Sequence, residues 1–300
     1  MINPIVSIVI PTYNHARFLS SALDSVIAQS IEDWEVIIVN NYSNDDTIEV
    51  VESFKDARIH LVNFANHGII AAARNYGLSL AKGSFIAFLD SDDFWYPEKL
   101  AHCLKMLNTG YDLVCHAEVW AGPGSHRRVV EYGPEKMASY EHLLFDGNCL
   151  STSAVVLRRT LLDRSGLFNE SHEMVTAEDY DLWLKLARDG ARIGFLTKVL
   201  GEYRIHGENQ SHAALRNMKA VIEVFQQHCA TLTESAMVSR KRRREAIIFY
   251  SGARSLQDNK QFNQAWLYFF KAIICYPWVL RFYAAMALNL FRCSPRLIIQ

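Results

Sequence analysis

Short, nearly continuous apolar runs recur through the first half of this chain, and segments with helical spacing separate them. The runs at residues 5–10, 36–39 and 85–89 are typical of strands buried on both faces. Residues 18–27 place their apolar side chains on one stripe, as an amphipathic helix does. Repeated strand–helix–strand units with short connections predict a doubly wound, mostly parallel α/β sheet.

The pattern changes in the second half of the chain. Residues 111–115 and 153–157 predict further strands of mixed direction, and residues 176–188 predict a helix. After residue 212 the strand patterns disappear, so the sequence predicts an α/β domain over 1–212 and an all-helical appendage over 213–300. Within the appendage, one set of residues has the spacing of a tetratricopeptide-type hairpin: Ala265, Phe269, Ala272 and Pro277. A single match leaves open whether this region is such a hairpin or a plain helical appendage.

Composition excludes several classes of protein. The 300 residues carry a formal net charge of −1, whereas nucleic-acid-binding proteins usually have a basic surplus. The six cysteines are scattered without a C-x-x-C pair, which predicts reduced thiols in a cytoplasmic protein. No secretory signal is evident, and no run reaches the roughly 20 apolar residues that span a bilayer. We therefore expect at most a peripheral attachment to the inner face of a membrane.

Polar clusters follow three of the predicted strands. They lie at residues 12–14, 40–46 and 90–93. In open α/β sheets, ligands bind beyond the carboxyl ends of the strands, so these clusters are expected to line a single crevice.

The third cluster places Asp90, Asp92 and Asp93 within four positions. These carboxylates repel one another unless a cation is present. Mg²⁺ or Mn²⁺ bound to a diphosphate takes only one or two protein carboxylates, which fits Asp92 as the metal ligand and Asp90 facing a nucleoside. The alternative is a solvated turn that caps the following helix. The position at the end of a buried strand favours the metal site.

Five motifs now occur in one order, and together they resemble the inverting family 2 glycosyltransferases, whose fold is the Rossmann-like GT-A fold. The motifs are Val6 to Asn14, Ala73-Arg74-Asn75 with Ala81-Lys82-Gly83, Phe88 to Asp93, Ala177 to Trp183, and Tyr203 to His206. The resemblance covers about residues 5–212 and implies an enzyme. Such an enzyme moves a sugar from a nucleotide-diphosphate sugar to a hydroxyl of a glycan or lipid-linked glycan, with Mn²⁺ or Mg²⁺ as cofactor. Surface polysaccharide or glycolipid synthesis is the expected setting.

The resemblance also implies roles for individual residues. The residues expected to bind the nucleotide and donor are Pro11, Thr12, Tyr13, Asn41, Arg74, Asp90 and Ser91. Asp90-Ser91-Asp92 corresponds to the D-x-D element, and Asp179 to the general base. One position departs from the family pattern, because Asn41 stands where an aspartate usually contacts the base. An amide also accepts and donates hydrogen bonds, so a UDP-sugar remains the favoured donor, although this departure weakens that expectation.

Alternative roles stay open for residues on the predicted 176–188 helix. Thr176 to Asp179 fits a capping box, which would make Asp179 a helix-capping residue as well as a base. Glu178 either binds acceptor hydroxyls or favours the helix N-terminus. Trp183 either stacks on an acceptor sugar or belongs to the core, and its helical spacing favours the core.

Three basic side chains also have two interpretations each. Arg74 contacts the diphosphate or forms an ordinary ion pair. Arg204 and His206 lie where the family has a segment that closes over the donor, and they either touch phosphate or are polar loop residues.

Two features of the appendage concern membranes. A basic run at 240–244 and an apolar stretch at 278–291 either dock on an anionic bilayer or form a solvated helix start and a buried helix.

The sequence bears on three functions other than glycosyl transfer. A non-catalytic sugar-nucleotide-binding or scaffolding module remains the alternative. A sugar nucleotidyltransferase would need a glycine-rich basic loop after the first strand, and a glycoside hydrolase would need two opposed carboxyl groups. The sequence favours neither of these two.

Overall fold

The computed structural model describes residues 3–122, 127–207, 213–230, 232 and 237–293. The chain forms two compact units. The first unit contains the residues up to Leu143, Gly147–Ser171 and Glu178–Gly207. The second contains Leu144–Asp146, His172–Ala177 and the chain from residue 208 onward.

Four parallel strands form the first half of the sheet in the order β3-β2-β1-β4. They and their helices are β1 (Val6–Thr12), α1 (Ala16–Ile27), β2 (Trp34–Asn40), α2 (Thr47–Ser53), β3 (Ile59–Asn63), α3 (Ile70–Leu80) and β4 (Phe85–Phe88). Every residue of β1 and β2 is buried, which explains why these strands have continuous apolar runs rather than alternating patterns. The predicted α/β fold class is confirmed.

The second half of the first unit adds strands of mixed direction. The elements are β5 (Phe94–Trp95), α4 (Lys99–Leu107), β6 (Leu113–Ala121), β7 (Arg127–Val130), α5 (Tyr140–Asp146), β8 (Val155–Arg158), α6 (Arg159–Ser165), α7 (Glu178–Arg188) and β9 (Ile193–Arg204). The last three residues of α5 belong to the second unit. The sheet continues from β4 in the order β8-β6-β9-β5, and β7 pairs with β6. Strand β8 is antiparallel to both neighbours, whereas β6 and β9 are parallel.

Gly83 lies just beyond helix α3 but does not cap it. Helix α3 ends at Leu80 with Ala81 as its C-cap, and Gly83 is not among the residues with positive φ. A Cβ atom at this position would lie 2.5 Å from the backbone nitrogen of Ser7. The Gly83 N–H instead donates to Ser7 Oγ at 2.7 Å. Glycine is therefore required here because the chain passes directly against β1.

The second unit is built from helices in its described residues after 213, as predicted. They are α8 (Ala214–Ala230), α9 (Val238–Asp258), α10 (Phe262–Cys275) and α11 (Leu280–Leu290). Ala265, Phe269 and Ala272 lie on α10 and are all 0% exposed, and Pro277 follows the end of that helix. A tetratricopeptide-like character remains a prediction, as does the domain division at residue 212. Among the described helices, none combines the length and hydropathy needed to cross a membrane.

Candidate active site

Hydrogen bonds join the loops that follow β1 and β2. The Asn14 N–H donates to Ser43 Oγ at 2.9 Å, and Asn44 N–H donates to Asn14 Oδ1 at 2.9 Å. Ser43 Oγ in turn donates to Asn40 Oδ1 at 2.6 Å. Asn14 has a φ of 53°, which its short polar side chain tolerates better than most. The first two predicted polar clusters therefore form one connected surface.

The residues predicted to contact the nucleoside differ in accessibility. Pro11 and Thr12 end β1 and are buried, whereas Tyr13 is 53% exposed. The buried Thr12 hydroxyl has no hydrogen-bond partner among the described residues. Asn41 is partly exposed, and its Oδ1 accepts from the Asn66 N–H at 3.0 Å. This contact fixes the orientation of the Asn41 amide.

Asp90 and Asp92 follow the end of β4. The Asp90 side chain is 29% exposed and the Asp92 side chain 13%. His206 Nε2 lies 2.8 Å from Asp92 Oδ2. Burial and the neighbouring Asp90 raise the pKa of Asp92, while His206 and His15 oppose this. A bound cation would favour the charged form of Asp92 and offset these effects.

Asp93 has a structural role that the sequence pattern did not indicate. It is 1% exposed, its Oδ2 accepts from Ser153 Oγ at 2.5 Å, and its Oδ1 accepts from the Arg204 N–H at 3.0 Å. Burial, followed by the charges of Asp92 and Asp90, raises its pKa well above the ordinary value. Asp93 therefore fastens the aspartate loop to two other segments.

The donor set around Asp92 fits a divalent cation that also binds a diphosphate. Within the described ranges, no group of three or more His, Cys, Asp or Glu side chains converges as a self-sufficient metal site. Mg²⁺ and Mn²⁺ bound to nucleotides need only one or two protein ligands, because phosphate and water oxygens complete the coordination. Asp92 would hold such an ion through its carboxylate, beside the contact that its Oδ2 makes with His206 Nε2.

Two aromatic residues beside this loop were not predicted. His15 Nδ1 lies 2.9 Å from Ser91 Oγ, and the Phe18 ring stacks on His206 with centroids 4.5 Å apart. His15 directly follows the Pro11–Asn14 motif, which is the only local signal that pointed to it. Arg204, predicted with His206 as a phosphate contact, donates from Nη2 to Ser21 Oγ at 2.7 Å.

Arg74 joins the aspartate loop to helix α7. It is 3% exposed, and its guanidinium donates to Asp90 Oδ1 and to Glu178 Oε1, both at 2.7 Å. Burial lowers its pKa, but Asp90 and Glu178 more than offset this, so the net direction is upward. Of its two interpretations, the structure shows the ion pair for Arg74, and a contact with the diphosphate stays a prediction. The Glu178 side chain is only 6% exposed and pairs with Arg74, and its acceptor role likewise stays a prediction.

Asp179 lies in the first turn of α7. Its Oδ1 accepts from the Tyr180 N–H at 2.7 Å and its Oδ2 from Thr152 Oγ1 at 3.0 Å. Burial and the neighbouring Glu178 raise its pKa to about 6, although Arg74 and the Thr152 hydroxyl act in the opposite direction. A carboxylate with this pKa is mostly ionised at neutral pH and still basic enough to accept a proton.

The structure bears on two of the alternatives for α7. Thr176 has a φ of +88° and the helix begins at Glu178, so Thr176 does not have the extended backbone of an N-cap residue. Trp183 is 0% exposed, so it belongs to the core and does not line an acceptor cleft. Helical spacing with other apolar residues had already favoured this outcome.

Similarity to known proteins points to one family. The profile described as glycosyl transferase family 2 matches residues 7–164. The protein UDP-Glc:alpha-D-GlcNAc-diphosphoundecaprenol beta-1,3-glucosyltransferase WfgD of Escherichia coli is 33% identical over 228 residues, which cover 74% of this chain and 85% of that protein. The chain belongs to glycosyltransferase family 2.

Two solved structures share the fold of this family 2 glycosyltransferase. S. aureus TarS 1–349 in complex with UDP-GlcNAc has a TM-score of 0.59 and 19% identity, covering 90% of this chain and 89% of that chain. The mannosyltransferase PcManGT from Pyrobaculum calidifontis, in complex with GDP-Man and Mn²⁺, has a TM-score of 0.61 and 18% identity, covering 99% and 87%. At these identities the likeness concerns the GT-A fold alone.

Proposed function

We propose that this glycosyltransferase is metal-dependent and inverting. It transfers a sugar from a nucleotide-diphosphate sugar to a hydroxyl of a glycan or lipid-linked glycan. The proposed setting is surface polysaccharide or glycolipid synthesis at the cytoplasmic face of a membrane.

The observation that carries the proposal is the double ion pair of Arg74. One guanidinium binds Asp90 of the aspartate loop and Glu178, the neighbour of Asp179, each at 2.7 Å. Asp92 and Asp179 are 87 positions apart in sequence, and Arg74 links their neighbours Asp90 and Glu178. A base and a metal ligand that are held near each other can act on opposite faces of one sugar, as inverting transfer requires.

A residue of this chain can be assigned to each step of the proposed transfer. Tyr13 and Asn41 hold the nucleoside, and Asp92 binds the cation, which would stabilise the negative charge on the leaving diphosphate. Asp179 accepts the proton of the acceptor hydroxyl as that oxygen attacks the anomeric carbon. A single displacement from the opposite face inverts the anomeric configuration.

A UDP-sugar is the favoured donor. The name of the Escherichia coli relative gives UDP-Glc as its donor, and the TarS structure contains UDP-GlcNAc. The archaeal structure contains GDP-Man, so the fold accommodates another base. Asn41 is the position at which this chain departs from the aspartate that usually contacts the base.

The experiment is a calorimetric titration with UDP, GDP and dTDP, each with and without Mn²⁺ or Mg²⁺. We expect metal-dependent binding of UDP that disappears in Asp92→Ala, with Asp24→Ala on the exposed face of α1 as the matched control. Metal-dependent binding of a different nucleotide would correct the donor. Absence of binding to any nucleotide by the folded protein would refute the enzyme proposal in favour of a scaffolding module.

Peripheral membrane contact is the second part of the proposal, and it rests on an apolar face of the last two helices. Its exposed residues are Leu267, Phe270 and Ile274 on α10, Trp278, and Leu280 and Leu290 on α11, with exposures between 51% and 84%. The sequence after Asp258 contains no Asp or Glu and five Lys or Arg residues. Exposed apolar side chains on a segment whose charged residues are all basic suit an anionic bilayer.

Most side chains of the basic run at 240–244 are engaged within the protein, which limits what this run adds to membrane binding. The Arg244 side chain is 7% exposed, Arg240 lies 4.4 Å from the centroid of Phe145, and Lys241 donates to the carbonyls of Cys229 and Leu232. Three of its five side chains are therefore engaged within the second unit. The proposed contact accordingly includes α10, which the sequence-based segment 278–291 left out.

Sedimentation with vesicles tests this contact. We expect binding to vesicles containing phosphatidylglycerol and loss of binding in the double variant Ile274→Ser/Leu280→Ser. Val129→Ser, at a residue 54% exposed in the first unit, is the control and should bind normally. A wild-type protein that stays in the supernatant would refute the membrane contact, and a dimer that dissociates in the double variant would assign the face to a second copy.

A further inference from the structure

Two adjacent hydroxyl residues, Thr152 and Ser153, precede strand β8 and are 7% and 2% exposed. Strand β8 runs antiparallel to β4, with Ala87 opposite Val156. The residues before β8 therefore lie beside the residues that follow β4, where the aspartate loop begins. No motif of the family resemblance includes these two residues.

Ser153 holds the aspartate loop at three points. Its hydroxyl donates to Asp93 Oδ2 at 2.5 Å and accepts from the Asp90 N–H at 3.1 Å. Its carbonyl accepts from Trp95 Nε1 at 2.8 Å. The loop that contains Asp92 is thus fixed on both sides by one buried residue.

Thr152 holds a different carboxylate. Its hydroxyl donates to Asp179 Oδ2 at 3.0 Å, and the only other described donor to this carboxylate is the Tyr180 N–H, which binds Oδ1. Two donors on different oxygens define the plane of a carboxylate, whereas one donor leaves it free to rotate. Thr152 therefore determines which lone pairs of Asp179 face an acceptor.

We propose that Thr152 and Ser153 are positioning residues that hold the proton-accepting Asp179 and the metal-binding loop at a fixed spacing. They act in parallel with Arg74, which joins Asp90 to Glu178. Together the two connections form a closed ring of contacts. The ring runs from Asp90 through Arg74 to Glu178 and its neighbour Asp179, and from there through Thr152 and its neighbour Ser153 back to Asp90. This inference rests on the proposed transferase function.

The two hydroxyls predict separate defects. Thr152→Val keeps the shape of the side chain and removes the donor to Asp179. We expect kcat to fall by about 10- to 100-fold, because a misplaced catalytic group has effects of this size, while the donor KM stays within about twofold of wild type. The acidic limb of the pH–rate profile should move to higher pH, because the charged form of Asp179 loses a hydrogen bond and the pKa of Asp179 therefore rises. Glu178 and Arg74, the charged groups that face Asp179, are the same in both proteins.

Thr152→Ser is the rescue variant and should restore both kcat and the pH profile. Ser153→Ala should instead weaken metal-dependent nucleotide binding about tenfold, since the aspartate loop loses its hydrogen bonds to the Ser153 hydroxyl and a typical hydrogen bond has this scale. Thr152→Val should bind the nucleotide normally. Ser25→Ala is the matched control. Ser25 is 1% exposed, and its hydroxyl bonds only the Ala22 carbonyl within α1 at 2.6 Å among the described contacts.

Normal nucleotide binding by Thr152→Val also shows that this variant is folded. A Thr152→Val enzyme with wild-type kcat and an unchanged pH profile would overturn the proposal, and so would failure of Thr152→Ser to rescue. A wild-type protein without transfer or nucleotide binding would instead refute the proposed function, and this inference would fall with it.

Discussion

Replacing Asp179 with Asn is expected to abolish transfer and to stabilise the folded protein. The carboxylate has an ordinary pKa of about 3.9 in an unfolded chain, and burial with the neighbouring Glu178 raises it to about 6 in the fold. A difference of about 2 in pKa corresponds to about 3 kcal/mol against the charged form. Because Asp179 is partly accessible to solvent, this value is an upper limit.

The sign follows from proton linkage. Since the folded pKa lies above the unfolded one, the charged Asp179 destabilises the fold above about pH 6, and this cost disappears as the pH falls towards about 4. Asn carries no charge, keeps an acceptor for the Tyr180 N–H and can bond the Thr152 hydroxyl. The variant should therefore exceed wild type in stability at pH 7.5 and approach it at pH 4.5.

Thermal unfolding at pH 7.5 and 4.5 measures this difference, with Asp24→Asn as an exposed control. We expect the Tm of Asp179→Asn to be several degrees above wild type at pH 7.5 only. In the transfer assay kcat should fall by about 10²- to 10⁴-fold, and wild-type kcat/KM should decline about tenfold per pH unit below about pH 6. A variant less stable than wild type at pH 7.5, or a gap independent of pH, would refute the electrostatic argument. Retained transfer would exclude Asp179 as the base.

Three further predictions concern stability and donor choice. Arg74→Met should lower the free energy of unfolding by about 3–5 kcal/mol in chemical denaturation, because Glu178 is left buried without its cation. A loss below about 1 kcal/mol would contradict the buried pair. Gly83→Ala should lower the free energy of unfolding by about 1–3 kcal/mol in the same assay, since the added Cβ would lie 2.5 Å from the Ser7 nitrogen. An unchanged denaturation midpoint would disprove this close approach. Asn41→Asp should tighten UDP binding roughly fivefold, because a charged acceptor strengthens a hydrogen bond by about 1 kcal/mol, and weaker binding in calorimetry would place Asn41 outside the base site.

The elements that sequence patterns predicted well are those buried on both faces. Strands β1, β2 and β4 have continuous apolar runs because helices cover both sides of the sheet. Strand β9 is the longest strand and was not predicted. Its 12 residues alternate irregularly between buried and exposed, and its register with β6 shifts at His116/Ala117 and again at Ala117/Val119. A strand with such irregularities has no period of two for a sequence pattern to show.

The part of the candidate site that lies at the ends of parallel strands could be predicted from the sequence. The loops after β1, β2 and β4 meet because the carboxyl ends of parallel strands share one edge. The contact of Ser153 with Asp93 joins positions 60 apart through an antiparallel pairing, and that of His15 with Ser91 joins positions 76 apart. No local pattern encodes such contacts. The sequence left open whether Arg74 contacts phosphate or forms an ion pair, because its partner Glu178 is 104 positions away.

The short segment His172–Ala177 belongs to the second unit although it leads directly into helix α7, which contains Asp179. Within it, Met174 and Val175 are 0% and 2% exposed. A chimera that exchanged the helical tail at residue 207 would deprive these two side chains of their native packing partners. It would do so four residues before Asp179. Grafting a tail from another glycosyltransferase should therefore succeed only when residues 144–146 and 172–177 are exchanged together with it.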